Sequence, residues 1–307
     1  MILVAGGTGT LGRRLVKRLA VAGNSVRVLS RTPGAAWFES ATVEVVAGDV
    51  RDLAAVQRAI IGVTTVVSAV HGFLGTGDSG PRGIDAEGNA ILVEAAVAAG
   101  VEHFVLVSVQ GASSDNPMEL ARMKFVAEQN LRASPLAWTI VRPTAFMETW
   151  GHIVGDPLVR TGKTLIFGRG TNPINFVSAT DVARLIELAI NDPALRGEAI
   201  DFGGPQDLTL TGLADVVGRV AGREVKKRHI PLVVMRASSL ALRPIKPALS
   251  RQIRAGVVMD TVDLTFDATA VRARFNSIPV TTFEDVVRAE IVPGAVVSPI
   301  AREAARR

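Results

Sequence analysis

The chain contains no cysteine and no tyrosine. Without cysteine there is neither a disulfide framework nor a thiolate metal site. Without tyrosine no phenol can act as a proton donor in any pose. Histidine is scarce as well. His71, His103, His152 and His229 are the four present, and no two stand at ligand spacing, so no metal site is expected. No apolar run approaches the ~18 residues of a membrane span. No charged leader precedes the first apolar stretch, which argues against a secretion signal and makes the cytoplasm the expected compartment. Repeats and low-complexity tracts are missing too.

Apolar residues, by contrast, make up 48% of the 307 positions, enough for a sizeable core. That length suits one large α/β domain or one domain with a smaller cap. The net charge is +5, and the excess is local: nine Lys or Arg fall between residues 223 and 254, against Glu224 alone. Such a segment is a candidate for contact with an anionic membrane surface or an acidic partner. The plainer reading is a solvated basic face. No aromatics are interleaved with the charges as single-strand binding would need, so no nucleic acid partner is expected. The apolar stretch within 230–258 either covers a cleft or meets a partner. A monomer or homodimer is expected.

Apolar strand patterns at 1–5, 25–30, 43–47, 63–69, 102–108 and 136–142 alternate with helical patterns near 11–22, 52–60, 84–99 and 117–133. This alternation predicts an α/β fold with a doubly wound parallel sheet. After Pro143 the elements shorten and glycine and proline become frequent. Helices at 179–191, capped by Ser178 or Thr180, and at 210–221 belong to a smaller C-terminal substrate or cap region. The expected division is 1–150 for nucleotide binding and 151–307 for the cap, interleaved in one unit.

The opening segment "MILVAGGTGTLGRRLVKRLA" carries the main site signal. Ile2 to Ala5 reads as a strand buried on both faces. Leu11, Leu15 and Leu19 form one helix face. Between them, Gly6, Gly9 and Gly12 allow a sharp turn and a close backbone approach to a ligand. The helix start then offers free N–H groups and a positive dipole end to a pyrophosphate. Thr8, Thr10 and Leu11 lie on the same turn, and Ala69 and Val70, at the end of the fourth strand, join the nucleotide set. A dinucleotide site is expected, the alternative being an ordinary tight turn.

The second strand ends in Val28-Leu29-Ser30-Arg31-Thr32, without the carboxylate that would take a ribose 2′-hydroxyl. Arg31, beside the hydroxyl of Ser30, suits a 2′-phosphate instead, so NADP(H) is expected over NAD(H). Arg13 and Arg14 are candidates to add to that pocket. Asp49 and Val50 end the third strand, where Asp49 could meet the adenine amino group or cap the next helix.

Gly6-Gly7-Thr8-Gly9-Thr10-Leu11-Gly12, Gly48-Asp49-Val50, Ser108 and Ile140-Val141-Arg142-Pro143-Thr144-Ala145-Phe146 together resemble the short-chain dehydrogenase/reductase superfamily. "GVEHFVLVS" and "NFVSATDVARLIELA" fit the same pattern. Within the superfamily the chain resembles the atypical, NmrA-like NAD(P)H-binding branch, and is similar to isoflavone-reductase-like enzymes and the complex I accessory nucleotide-binding subunit. The resemblance covers roughly residues 1–222 and implies a Rossmann fold and oxidoreductase chemistry. It also implies a Ser, Tyr, Lys set with tyrosine four residues before lysine. Lys124 stands in place, but Leu120 occupies the tyrosine position. By the same resemblance Lys124 holds the nicotinamide ribose or acts as a base, and Ser108 orients a carbonyl. Pro143, Ala145 and Phe146 pack on the nicotinamide. Glu148 and His152 are candidate proton sources. Two functions follow as expectations. One is an NADPH-dependent oxidoreductase for a small apolar carbonyl or enone-type substrate. The other is a non-catalytic NADP(H)-binding redox sensor, regulatory or assembly protein.

Overall fold

The opening apolar run forms β1 (Ile2–Ala5), buried along its whole length. In the computed structural model, which describes residues 1–32 and 40–293, the chain continues through α1 (Thr10–Val21), β2 (Val26–Ser30), β3 (Val43–Ala47), α2 (Leu53–Ile60), β4 (Thr65–Ser68), α3 (Gly88–Ala98), β5 (His103–Val107), α4 (Glu119–Ala133) and β6 (Ala137–Pro143). Then follow β7 (Ala145–Phe146), α5 (Met147–Thr161), β8 (Lys163–Phe167), β9 (Ile174–Val177), α6 (Ala179–Asn191), β10 (Ala199–Phe202), β11 (Gln206–Leu208), α7 (Leu210–Ala221) and β12 (Lys226–Ile230). The described chain ends with α8 (Leu232–Leu242), α9 (Pro247–Thr261), α10 (Thr269–Arg274), α11 (Phe283–Val286) and a π-helical segment at Val287–Ile291. No helix among the described residues is long and apolar enough to cross a membrane.

Seven strands form the central sheet in the order β10-β6-β5-β4-β1-β2-β3. Every pairing is parallel. The order reverses direction between β1 and β4, and ligands of open α/β sheets bind at such a switch point. Ala5 and Ser68 are register partners at that crevice. Leu11, Leu15 and Leu19 of α1 pack with Val182, Leu185 and Ile186 of α6 on one face. Burial contributes roughly 1.5–3 kcal/mol for each such side chain. The other face is covered by α2, α3 and α4. Of the two candidate caps for α6, Ser178 serves, accepting from the Thr180 amide.

Two expectations are corrected. The helix expected over 84–99 is divided. Arg82–Glu87 is π-helical, and α3 starts only at Gly88. Within the wider turn the Asp85 carboxylate is fully buried and accepts from the Gly72 amide. The sheet also has a seventh strand, β10, which pairs with β6. It spans four residues, too few for a periodic signal to stand out. Beyond Pro143, β7, β9 and β11 form one small sheet and β8 and β12 another. They enclose a third core with α5, α7 and α11. The α8–α9 pair leaves Val233, Leu240 and Ile245 exposed.

Candidate functional site

The three glycines of the first turn have different reasons to be there. Gly6 has φ +83°, and a Cβ on it would lie 2.5 Å from the Ala69 carbonyl oxygen. A Cβ on Gly12 would lie 2.2 Å from the Gly6 oxygen. These two let the turn close against itself and against the chain after β4. Gly9 differs: its nearest neighbour would be the Gly6 oxygen at 3.5 Å. The space above Gly9 is therefore left open by the fold. No side chain caps the first turn of α1, and no acid stands in it. Its N–H groups and dipole face the crevice, as a pyrophosphate would need. The Leu11 side chain goes into the core, so it can offer a ligand only its backbone.

A cleft of about 450 Å³ opens over this turn. It gathers Gly6, Thr8, Gly9, Ser30, Arg31, Asp49, Val50, Ala69 and Val70, residues from four different strand ends. Thr10 and Gly12 lie on the turn beneath, outside the lining. Arg31 is exposed at the rim. The Asp49 carboxylate is held below its usual range, first by hydrogen bonds from the Arg51 side chain, with Arg31 adding a smaller field. Its oxygens lie 2.9 and 2.7 Å from Arg51 Nε and Nη2. Asp49 therefore does not cap α2; Asp52 does, accepting from Ala54 and Ala55 amides. Arg13 Nε donates to the Thr8 carbonyl at 2.8 Å, beside the turn. Arg14 does not join this pocket. It donates to Thr180 Oγ1 and pairs with Glu290, on the side of α1 that faces α6.

Ser108 and Lys124 have partners other than those the resemblance implies. Lys124 is buried, and Nζ donates to the carbonyls of Val70 at 2.7 Å and Val107 at 2.9 Å. Asp85 Oδ1 lies 3.0 Å away. The ammonium thus donates to two carbonyls and faces one carboxylate as its ion-pair partner. Ser108 Oγ donates to Glu128, which is fully buried and held by the Arg142 guanidinium. Both residues thus act on protein groups below the cleft floor. Pro143 is buried at the end of β6, and its carbonyl accepts from the Gln110 amide. Ala145 and Phe146 pair with Phe176 and Val177 of β9. None of the three lines the cleft.

Neither Glu148 nor His152 lines the cleft. Glu148 is buried and caps α6, accepting from Ser178 Oγ and the Ala179 amide. His152 sits on the surface of α5, 3.1 Å from Asp156. The imidazole in the cleft is His71, which follows directly on Val70. The ring is exposed to the open cleft, but desolvation by the chain packed around it lowers its pKa, Asp85 opposes the shift, and Lys124 adds a smaller push downward. Its position just past a strand end was the available signal. Asp85 and Glu128 carried none, since buried acids look like surface acids in a sequence. A second cavity of about 380 Å³ lies across the loop, lined by Phe73, Leu120 and several arginines. Leu74 and Gly75 of the same loop line the nucleotide cleft.

A cradle open at Gly9, an uncapped helix start and a sheet reversing beside it define a dinucleotide-binding α/β protein. Residues 6–193 match the NAD(P)H-binding family. The chain belongs to that NAD(P)H-binding family. It is 34% identical over 245 residues to a (4-alkanoyl-5-oxo-2,5-dihydrofuran-3-yl)methyl phosphate reductase of Streptomyces griseus, covering 80% of this chain and 82% of that one. It is 31% identical to an NAD(P)H azoreductase of Xenophilus azovorans over 76% of this chain and 78% of that one. The photosystem II assembly factor Ycf39 of Trieres chinensis is 26% identical over 78% and 74%. Among solved structures, the Escherichia coli quinone oxidoreductase QOR2 with NADPH superposes with a TM-score of 0.73, at 22% identity over 94% of this chain and 99% of that one. This last likeness is one of fold.

Proposed function

We propose that the protein is an NADPH-dependent reductase acting on a small, largely apolar carbonyl or enone-type substrate. The observation that carries this reading is the pairing of two cavities across one loop: the cleft over Gly9 and the cavity that holds Leu120. When bound, NADPH supplies a hydride. The chain's own residues do the rest. Gly9 and the first-turn amides of α1 hold the phosphates. Arg31, with Ser30, takes the 2′-phosphate through a charge-assisted contact that NADH cannot make. Val50 offers an apolar surface to the adenine, and Asp49, already neutralised by Arg51, offers an acceptor.

Lys124 and Ser108 are positioning residues in this reading. Lys124 holds the Val70 carbonyl and, through Asp85, the Gly72 amide, so it sets the segment that bears His71. Ser108 anchors the end of β5 to Glu128 and Arg142. The proton that completes reduction comes from water in the open cleft or from His71. The reductases of S. griseus and X. azovorans support the choice of reaction type.

A second reading is a non-catalytic NADP(H)-binding sensor or assembly protein. The commitment of both Ser108 and Lys124 to protein groups favours it, as does the likeness to Ycf39. NADPH oxidation measured against aldehydes, ketones, quinones and enones separates the two. The reductase reading expects turnover with at least one class, and a loss of about 10²-fold in His71→Asn if that imidazole relays the proton. No oxidation above background across all four classes leaves the second reading.

A further inference from the structure

We propose that the second cavity binds the phosphate monoester end of the substrate, a proposal that rests on the reductase reading above. The cavity lies between the start of α4, the α8–α9 pair and Phe73. Four guanidiniums line it, from Arg122, Arg243, Arg251 and Arg254, with Glu119 the one carboxylate. They come from three separate stretches of chain, so helical repetition of one basic face does not explain their convergence. The basic run seen in the sequence is in fact divided. Lys227 on β12 pairs with Asp215, while Arg243, Arg251 and Arg254 turn to this cavity and meet Arg122 from α4.

The four are not equivalent. Arg251 is a fixed wall. Its side chain is 16% exposed, and it donates to the Phe73 carbonyl at 3.3 Å and to the Gly75 carbonyl, with Glu119 at 3.6 Å. Arg122 donates to the Asn116 carbonyl at 2.6 Å. The guanidiniums of Arg243 and Arg254 have neither an ion-pair nor a hydrogen-bond partner among the described residues. Like charges facing a shared concavity repel one another, and an anion bound between them relieves that repulsion. Four guanidiniums against one carboxylate leave an excess of three charges. A phosphate dianion offsets most of it, whereas a carboxylate offsets one. Guanidinium forks also match phosphate oxygens in pairs.

The location ties this anion site to the reaction. Arg251 grips Phe73 and Gly75, and Leu74 and Gly75 line the nucleotide cleft. One loop therefore separates the arginines from the cofactor side. Leu120 and Phe73 supply apolar wall between them. A substrate with its phosphate on the arginines has its apolar body on this wall and its reducible group toward the cofactor.

The test uses the full chain saturated with NADPH and phenyl phosphate as the probe, titrated by calorimetry at fixed ionic strength. Phenylacetate, inorganic phosphate and phosphatidylglycerol vesicles serve as comparison ligands. The expected result is saturable binding of phenyl phosphate at least tenfold tighter than phenylacetate. Inorganic phosphate should compete. Arg243→Ala and Arg254→Ala should each weaken binding by at least fivefold, with NADPH affinity unchanged. Absence of saturable binding overturns the proposal, as does binding that ignores both substitutions. Arginine-dependent binding to the vesicles that phenyl phosphate fails to displace overturns it in favour of a membrane surface. Turnover is a separate readout. Arginine-dependent phenyl phosphate binding without turnover of any substrate removes the reductase reading alone, and turnover without such binding removes this proposal alone.

Discussion

Lys124 Nζ stands 3.0 Å from Asp85 Oδ1, with both side chains shut away from solvent. Asp85 Oδ1 makes no hydrogen bond of its own, so the ammonium is what balances it. The pair joins α4 to the π-helical turn and, through Val70 and Gly72, fixes the floor of the nucleotide cleft. Lys124→Ala should leave a buried carboxylate unpaired and lower stability by about 3–5 kcal/mol. Adding Asp85→Asn should recover much of that loss, because the neutral amide can still accept from Gly72. Urea denaturation of the two single variants and the double variant measures this. Equal stability of Lys124→Ala and wild type would show that the pair contributes nothing to the fold.

The glycine turn gives a contrast between neighbours. Gly9→Val should fold normally, since space is open there, and should lose NADPH binding because the branched side chain fills the phosphate cradle. Gly12→Ala should fail the other way. Its Cβ collides with the Gly6 backbone, at a cost of about 1–3 kcal/mol or more. Thermal melts with and without NADPH read both effects. A Gly9→Val variant that binds NADPH at wild-type strength would place the phosphates elsewhere.

Arg31 lines the cleft at its rim, and the proposed function gives it the choice of cofactor. The wild type should bind NADPH more tightly than NADH by about 1–3 kcal/mol, the worth of one charged hydrogen-bonded contact. Arg31→Ala should erase the difference by weakening NADPH while leaving NADH unchanged. Titrations of both nucleotides into both proteins decide it, and equal affinities in the wild type would contradict it.

His103 supplies a pH dependence away from the site. It is buried, it contacts Thr139 Oγ1 through Nε2 at 2.9 Å, and burial pushes its pKa from 6.5 to about 4. The unfolded chain therefore binds a proton between pH 6.5 and 4 that the folded chain refuses. Stability contributed by the neutral ring is full above about pH 6.5 and falls as pH drops toward 4, by on the order of 3 kcal/mol in total. His103→Gln should flatten this part of the stability curve. Denaturation midpoints of the two proteins between pH 4 and 7 check it. Parallel curves would mean that His103 is not the titrating group.

Much of this was legible in the sequence because it rests on periodicity and on glycine. Six sheet strands, and most of the helices between them, follow from apolar alternation that the core then enforces. The cleft residues at the ends of β1, β2, β3 and β4 follow from strand ends meeting at one edge. Lys124 and Ser108 stood out in the sequence, but the protein groups they contact did not. Asp85 reaches Lys124 only because a π-helical turn replaces regular helix, and Glu128 reaches Ser108 across a helix–sheet contact. Glu148 could not be told from a surface acid until its burial beneath α6 was seen. The arginine cavity was hidden for a similar reason: Arg122 lies far in sequence from the basic segment it joins.

The most direct measurement follows the hydrogen itself. The protein is incubated with NADPH carrying deuterium at the transferable C4 position and with small enones and quinones, phosphorylated and not, and the products are weighed by mass spectrometry. The reductase account predicts a reduced product enriched by one deuterium per turnover, with NADPH preferred to NADH and the preference lost in Arg31→Ala. Tight NADPH binding with no deuterium in any product would contradict it and leave a protein that holds the nucleotide without using its hydride.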